Sequence, residues 1–172
     1  MNAVLPISPD AISHSAMMVG AQIALALSAE IIVLQIRAHP CPLPELARLY
    51  TLTAPIRAFG VQTRLRVREG DPAELICQEG IERRCEWIIM GSGGDGRRLG
   101  SVAEAVFLQS PVPVILARET PTLRPAVELT FQSAHHAVEL IGRLRAAGLR
   151  WDRPAPRRVR VDLADLMLSP AS

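Results

Sequence analysis

The chain contains no lysine: all 19 of its basic residues are arginine. A Walker-type phosphate loop needs its lysine, and so does a Schiff-base enzyme, so both classes are excluded. Any phosphate must be met by backbone amides, hydroxyls or guanidinium groups. Aromatic residues make up only 3% of the chain. That leaves almost no stacking platform for single-stranded nucleic acid and argues against a nucleic-acid partner. No apolar run approaches the roughly 18 to 20 residues that cross a bilayer. Nor does a charged n-region precede an apolar h-region at the N-terminus, so the expectation is a cytoplasmic protein without a membrane partner. Cysteine is scarce as well. Cys41, Cys77 and Cys85 show neither metal nor redox spacing, which fits a reducing compartment where thiols serve as small core residues. His39 and Cys41, beside Pro40 and Pro42, read as a surface loop because no second ligand pair lies near them. A Gly-x-Ser-x-Gly elbow is absent too, and nothing in the pattern requires an enzyme.

What is present is a chain of 172 residues, 49% hydrophobic and 21% charged, the composition of one main core with an appendage. Ala3 to Ile7 is a short apolar run stopped by Ser8-Pro9-Asp10, and Ala16, Val19, Gly20, Ile23, Ala24 and Leu27 then recur at helical spacing. Glu30 to Ile36 is β-branched and almost continuously apolar, as a strand buried on both faces should be. Leu43 to Phe59 reads as a helix that Pro55 should end early or kink, with a turn at Gly60. Val61 to Arg68 alternates like a strand with one wet face or an edge position. Asp71 is an N-cap, with Pro72 at the first helical position and Glu74 at capping-box spacing. Trp87 to Met90 is the next strand, Ser101 and Glu104 repeat the capping-box spacing, and Val112 to Ala117 is the last strand of the series. Strands alternating with helices imply α/β architecture: an open five-stranded parallel sheet with helices on both faces and right-handed crossovers. In strand order 3-2-1-4-5 the binding crevice lies between the carboxyl ends of the first and fourth strands.

The fourth strand runs into "GSGGDGRRLGS", Gly91 to Ser101. Gly91, Ser92, Gly94, Gly100 and Ser101, followed by Pro111 and Pro113 before the last strand, resemble the second half of a universal stress protein domain. The likeness covers about residues 1 to 118. It implies that family's fold and, in one branch of the family, ATP or AMP in this crevice, with magnesium accompanying the nucleotide. Glycine-loop amides and a helix N-terminus suit phosphate physically. The resemblance makes Ser8, Gly91, Ser92, Gly94, Arg97, Gly100, Ser101 and Val102 the candidate contacts. Gly91 and Gly94 would allow close backbone approach, Ser101 would offer its hydroxyl and amide, and Arg97 and Arg98 would add charge. Two departures bear on the pocket. Only five residues separate Gly94 from Gly100, where the ATP-binding pattern has nine, which implies a smaller or closed pocket. Ser8 stands at or next to the place of the family's first-strand aspartate, and Asp10 comes two residues late. "SGGDG" also resembles the loop of ATP pyrophosphatases, but there the loop follows the first strand.

Beyond Arg118 the composition shifts. Residues 119 to 126 read as a linker and 127 to 172 as a small C-terminal αβ extension. In it Val127, Leu129 and Phe131 alternate, Ser133 caps a helix carrying Ala137, Leu140, Ile141 and Leu144, and Gly148 stops that helix. Val159, Val161 and Leu163 alternate again. Residues 120 to 172 hold eight arginines and five acids, an excess small enough to be a solvated strand face. The extension is too small to be independently stable and should pack on the main domain or on a second subunit. Two functions stay open. One is a binding or regulatory module responsive to ATP or AMP, with at most slow nucleotide hydrolysis. The other is an interaction protein of the stress response without a ligand, a homodimer paired through the exposed edge of Val112 to Ala117, where family members commonly dimerise.

Overall fold

The computed structural model describes residues 1–8, 12–37, 44–93, 98–120, 126–149, 151 and 157–162. The elements follow in the order β1 (Asn2–Ile7), α1 (His14–Leu27), β2 (Glu30–Arg37), α2 (Pro44–Leu52), α3 (Ala54–Ala58), β3 (Thr63–Glu69), α4 (Pro72–Glu82), β4 (Trp87–Gly91), α5 (Ser101–Gln109), β5 (Val114–Thr120), β6 (Ala126–Phe131), α6 (Ala134–Ala146) and β7 (Arg158–Asp162). They form one seven-stranded sheet in the order β3-β2-β1-β4-β5-β6-β7. The first five strands are parallel and keep the expected order 3-2-1-4-5. β6 and β7 continue the sheet antiparallel.

Alternation along the central strands divides the core between two faces. Ala3, Leu5 and Ile7 of β1 join α1, α3 and α6 on one side, while Val4 joins Ile76 of α4 and Val106 of α5 on the other. Strands buried on both faces must be apolar at every position, which explains the unbroken run in β2. Pro55 breaks the long helix expected after β2 into α2 and α3. At the break Thr53 Oγ1 donates to the Leu49 carbonyl at 2.9 Å and accepts from Arg57 Nη1 at 2.9 Å. Asp71 caps α4 by accepting from the Glu74 amide at 2.9 Å, and Ser133 caps α6 by accepting from the His136 amide at 3.1 Å. Ser101 is not the cap of α5. Gly100 takes that position with φ −65° and ψ 149°, and Ser101 is the first helical residue.

The extension alters the reading of the β5 edge. Six residues of β6, Ala126 to Phe131, pair in register with Thr120 to Ile115, so β5 has a neighbour on both sides and no open edge for a second copy. β5 stops at Thr120 and β6 starts at Ala126, so a short connection returns the chain beside itself, and pairing within one chain has the advantage of effective concentration. Leu129, Phe131, Leu140, Leu144 and Val159 enter the same core as α1. Leu163 and the residues after it lie outside the described residues. Among the described residues no helix is long and apolar enough to cross a membrane.

Candidate functional site

β1 and β4 are neighbours, yet the chain leaves β1 toward β2 on one side and leaves β4 toward β5 on the other. Their carboxyl ends therefore open a crevice that no crossover fills. A cavity of about 720 Å³ lies there. Pro6, Ile7 and Ser8 from β1 and its end, Met90 and Gly91 from β4, and Ala117, Arg118 and Glu119 from β5 reach it. Leu34, Ile36, Pro72 and Ile76 give it an apolar wall.

Two helices begin at its rim. Ser13 caps α1, its hydroxyl accepting from the Ala16 amide at 3.2 Å and lying 3.0 Å from the hydroxyl of the buried Ser15. Ser13 also sits directly over Gly91: a Cβ there would fall 2.5 Å from Ser13 Cβ and 2.7 Å from its Oγ. Gly91 is thus the residue that lets α1 start against the end of β4. After it the chain turns. Ser92 donates its amide to the Ala117 carbonyl at 3.1 Å and accepts at its own carbonyl from the Gly100 amide at 2.9 Å. Gly93 between these bonds has φ +60°, and a Cβ on it would lie 3.3 Å from Gly100 Cα. The short glycine loop is therefore closed at its base by a Ser92–Gly100 bond, which commits the Gly100 amide.

The start of α5 brings further donors to the cavity. The first amides of any helix have no intrahelical acceptor, and α5, unlike α1, α4 and α6, has no side-chain cap. Its first residues Ser101, Val102 and Ala103 line the cavity. A helix of nine residues starting there adds the positive end of its dipole. Arg118 brings a permanent cation to the same rim, its Nη2 donating to Glu128 at 3.0 Å. Among the described residues no group of three or more His, Cys, Asp or Glu side chains could hold a metal ion.

Of the residues expected to contact a ligand, Ser8, Gly91, Ser92, Gly100, Ser101 and Val102 all line this one cavity. Gly94 and Arg97 lie outside the described residues, as do Asp10, His39 and Cys41. Sequence reasoning missed Ser13, Ser15, Gly93 and Arg118. Gly93 stood in the same glycine run as Gly94, and nothing local in the sequence marks its positive φ. Arg118 is recognisable only once β5 is known to end at the cavity.

The profile of the universal stress protein family matches residues 3–118. The chain belongs to that family. No curated protein matches this universal stress protein in sequence. Among solved structures it is similar to a universal stress protein in complex with cAMP, at 25% identity over 67% of this chain and 94% of that one, with a TM-score of 0.55. A universal stress protein from Archaeoglobus fulgidus in complex with dAMP shares 20% identity over 67% of this chain and 96% of that chain, TM-score 0.56. An Arabidopsis thaliana member with AMP bound shares 18% over 67% and 90%, TM-score 0.53. The family match ends at Arg118, so β6, α6 and β7 stand outside it.

Proposed function

We propose that this protein is a nucleotide-responsive binding module that takes an adenosine monophosphate-class ligand in the crevice between β1 and β4. The observation that carries the reading is the start of α5, without a side-chain cap, at a cavity of about 720 Å³ that also has an apolar wall. Ile36, Pro72 and Ile76 offer the base a water-excluding surface, and the amides of Ser101 and Val102 with the Ser101 hydroxyl offer donors to phosphate. That similar structures hold cAMP, dAMP and AMP supports the same class here. The bond closing the loop between Ser92 and Gly100 leaves little chain to wrap a triphosphate, which favours AMP over ATP with its magnesium. Amides and hydroxyls hold an anion without moving a proton, so the role is binding rather than turnover. The ligand-free dimer loses its route, because β6 already occupies the β5 edge.

Calorimetric titration of nucleotide-stripped protein with AMP and ATP tests this. Micromolar AMP binding, tighter than ATP, is expected. Ser101→Glu should weaken it by at least about tenfold through repulsion of the phosphate. The same exposed carboxylate at the start of α5 should hold or raise the melting temperature, since an acid there gains about 0.3 to 1 kcal/mol from the helix dipole. Absence of binding to either nucleotide at millimolar concentration would overturn the reading.

A further inference from the structure

β5 outruns the strand it pairs with. Its ladder with β4 ends at Gly91 opposite Ala117, and the Ser92 amide bonds the Ala117 carbonyl at 3.1 Å before the chain turns away. Arg118, Glu119 and Thr120 continue the strand because Glu128, Val127 and Ala126 of β6 pair with them. The extension thus makes an overhang above the glycine loop. Glu119 stands on it, as the first residue beyond the family match, and lines the cavity.

Directly opposed residues share a face of the sheet, so Glu119 lies on the face of Val127, in the core that also holds Ala16 and Ile23 of α1. Ser13, His14 and Ser15 at the start of α1 line the cavity on that side. The start of α5 and the apolar wall of Leu34 and Ile76 belong to the other face, whose core holds Ala103 and Val106. The cavity is therefore divided between a side of amide donors and apolar wall and a side that carries a carboxylate. Among the described residues lining the cavity Glu119 is the one acid. Its side chain makes no hydrogen bond or ion pair among the described residues, while its neighbour Arg118 lies on the other face, opposite Glu128. No partner offsets its charge.

Resting on the nucleotide reading above, we propose that Glu119 sets the length of the phosphate chain the site accepts. A base against Leu34 and Ile76 and a first phosphate on the α5 amides both lie on one side of the sheet. The bond between the Gly100 amide and the Ser92 carbonyl closes the loop there, so a second and third phosphate must extend toward the α1 side, under Glu119. Each brings further negative charge to the carboxylate. A monophosphate stays clear of it. The side chain is exposed, so water and salt weaken the repulsion to a few-fold effect.

The test is calorimetry on the full chain with adenosine and AMP, with ADP and ATP measured by displacement of AMP, without magnesium and at pH 8, where phosphate esters are fully ionised. Glu119→Gln should strengthen ATP by about fivefold, strengthen ADP by less, and leave AMP and adenosine within about twofold of wild type. Glu119→Lys should carry the same order further, and both gains should shrink as salt rises from about 0.05 to 0.5 M. An exposed side chain without a partner can be exchanged without disturbing the fold, and unchanged melting temperatures of the two variants check this. An ATP-to-AMP affinity ratio within twofold of wild type in both variants overturns the proposal. So does an equal gain for AMP and ATP, which would put the carboxylate at the first phosphate. If wild-type protein binds none of the four ligands, the nucleotide reading falls and this proposal with it. Persistent AMP binding with an unchanged ratio strikes this proposal alone.

Discussion

A side chain at Gly91 would have to share space with Ser13 at the start of α1. Gly91→Ala should therefore lower stability by about 1 to 3 kcal/mol, the range for overpacking a tight contact. A Cβ added at Gly142 on α6 would meet nothing within 4 Å. Gly142→Ala should raise stability by about 0.5 to 1 kcal/mol through helix propensity. Urea unfolding of both variants checks the pair, and equal effects would show that the Ser13 contact relaxes freely. Cys85 carries a second prediction at this scale. Burial, reinforced by the negative charge of Glu79, pushes its thiol from 9.0 up to about 11. Between these values the unfolded chain releases a proton that the folded chain keeps, so stability should fall as pH rises from 9 toward 11 and be unaffected below 9. Denaturation midpoints of wild type and Cys85→Ala across that window should diverge in slope. Parallel profiles would remove the thiol as the cause. Some residue assignments were readable from spacing, as with Asp71 and Ser133, whose side chains accept from Glu74 and His136 amides. Ser101 was not, because a Ser-x-x-Glu spacing does not distinguish the cap position from the first helical one; the extended backbone of Gly100 decides it.

Between elements, the fully buried carboxylate of Glu79 on α4 binds β3 to its helix. It meets Arg66 at 3.3 Å, Arg68 at 3.1 Å and Arg83 at 3.2 Å. Removing the carboxylate leaves three guanidinium groups close together with no shared anion, so Glu79→Ala should cost about 3 kcal/mol. Hydrogen exchange should show the loss concentrated in β3 and α4, and an unchanged β3 would mean that its ladder with β2 holds it alone. The alternation of β3 was legible, and so was its edge position, since Arg64, Arg66 and Arg68 could not all be buried in a central strand. The extent of β5 was less so. Its apolar run stops at Ala117, but the strand continues to Thr120 because Arg118, Glu119 and Thr120 pair with Glu128, Val127 and Ala126. A strand lengthened by a partner from elsewhere in the chain leaves no mark in its own periodicity.

For the whole molecule, the closed β5 edge leaves β3 and β7 as the outer strands of the sheet. Both carry arginines at alternate positions, Arg64, Arg66 and Arg68 on one and Arg158 and Arg160 on the other. Charges along an edge strand oppose pairing with another sheet. Sedimentation should therefore give a monomer of 18.7 kDa, and a stable species of twice that mass would show that another surface associates. The sequence alone determined what depends on neighbours along the chain: the strands and helices of the first 118 residues, their parallel α/β class, the break at Pro55 and the glycine run that follows β4. These follow from periodicity, turn chemistry and backbone sterics, which act over a few residues. Only the tertiary structure decided what depends on residues far apart: that β6 closes the β5 edge, that Ser13 rests on Gly91, that Ser92 pins Gly100, and that Glu128 from the extension holds Arg118 at the cavity. Such contacts arise from how the strands register across the sheet, and register is set by the packing of the assembled core rather than by any single segment.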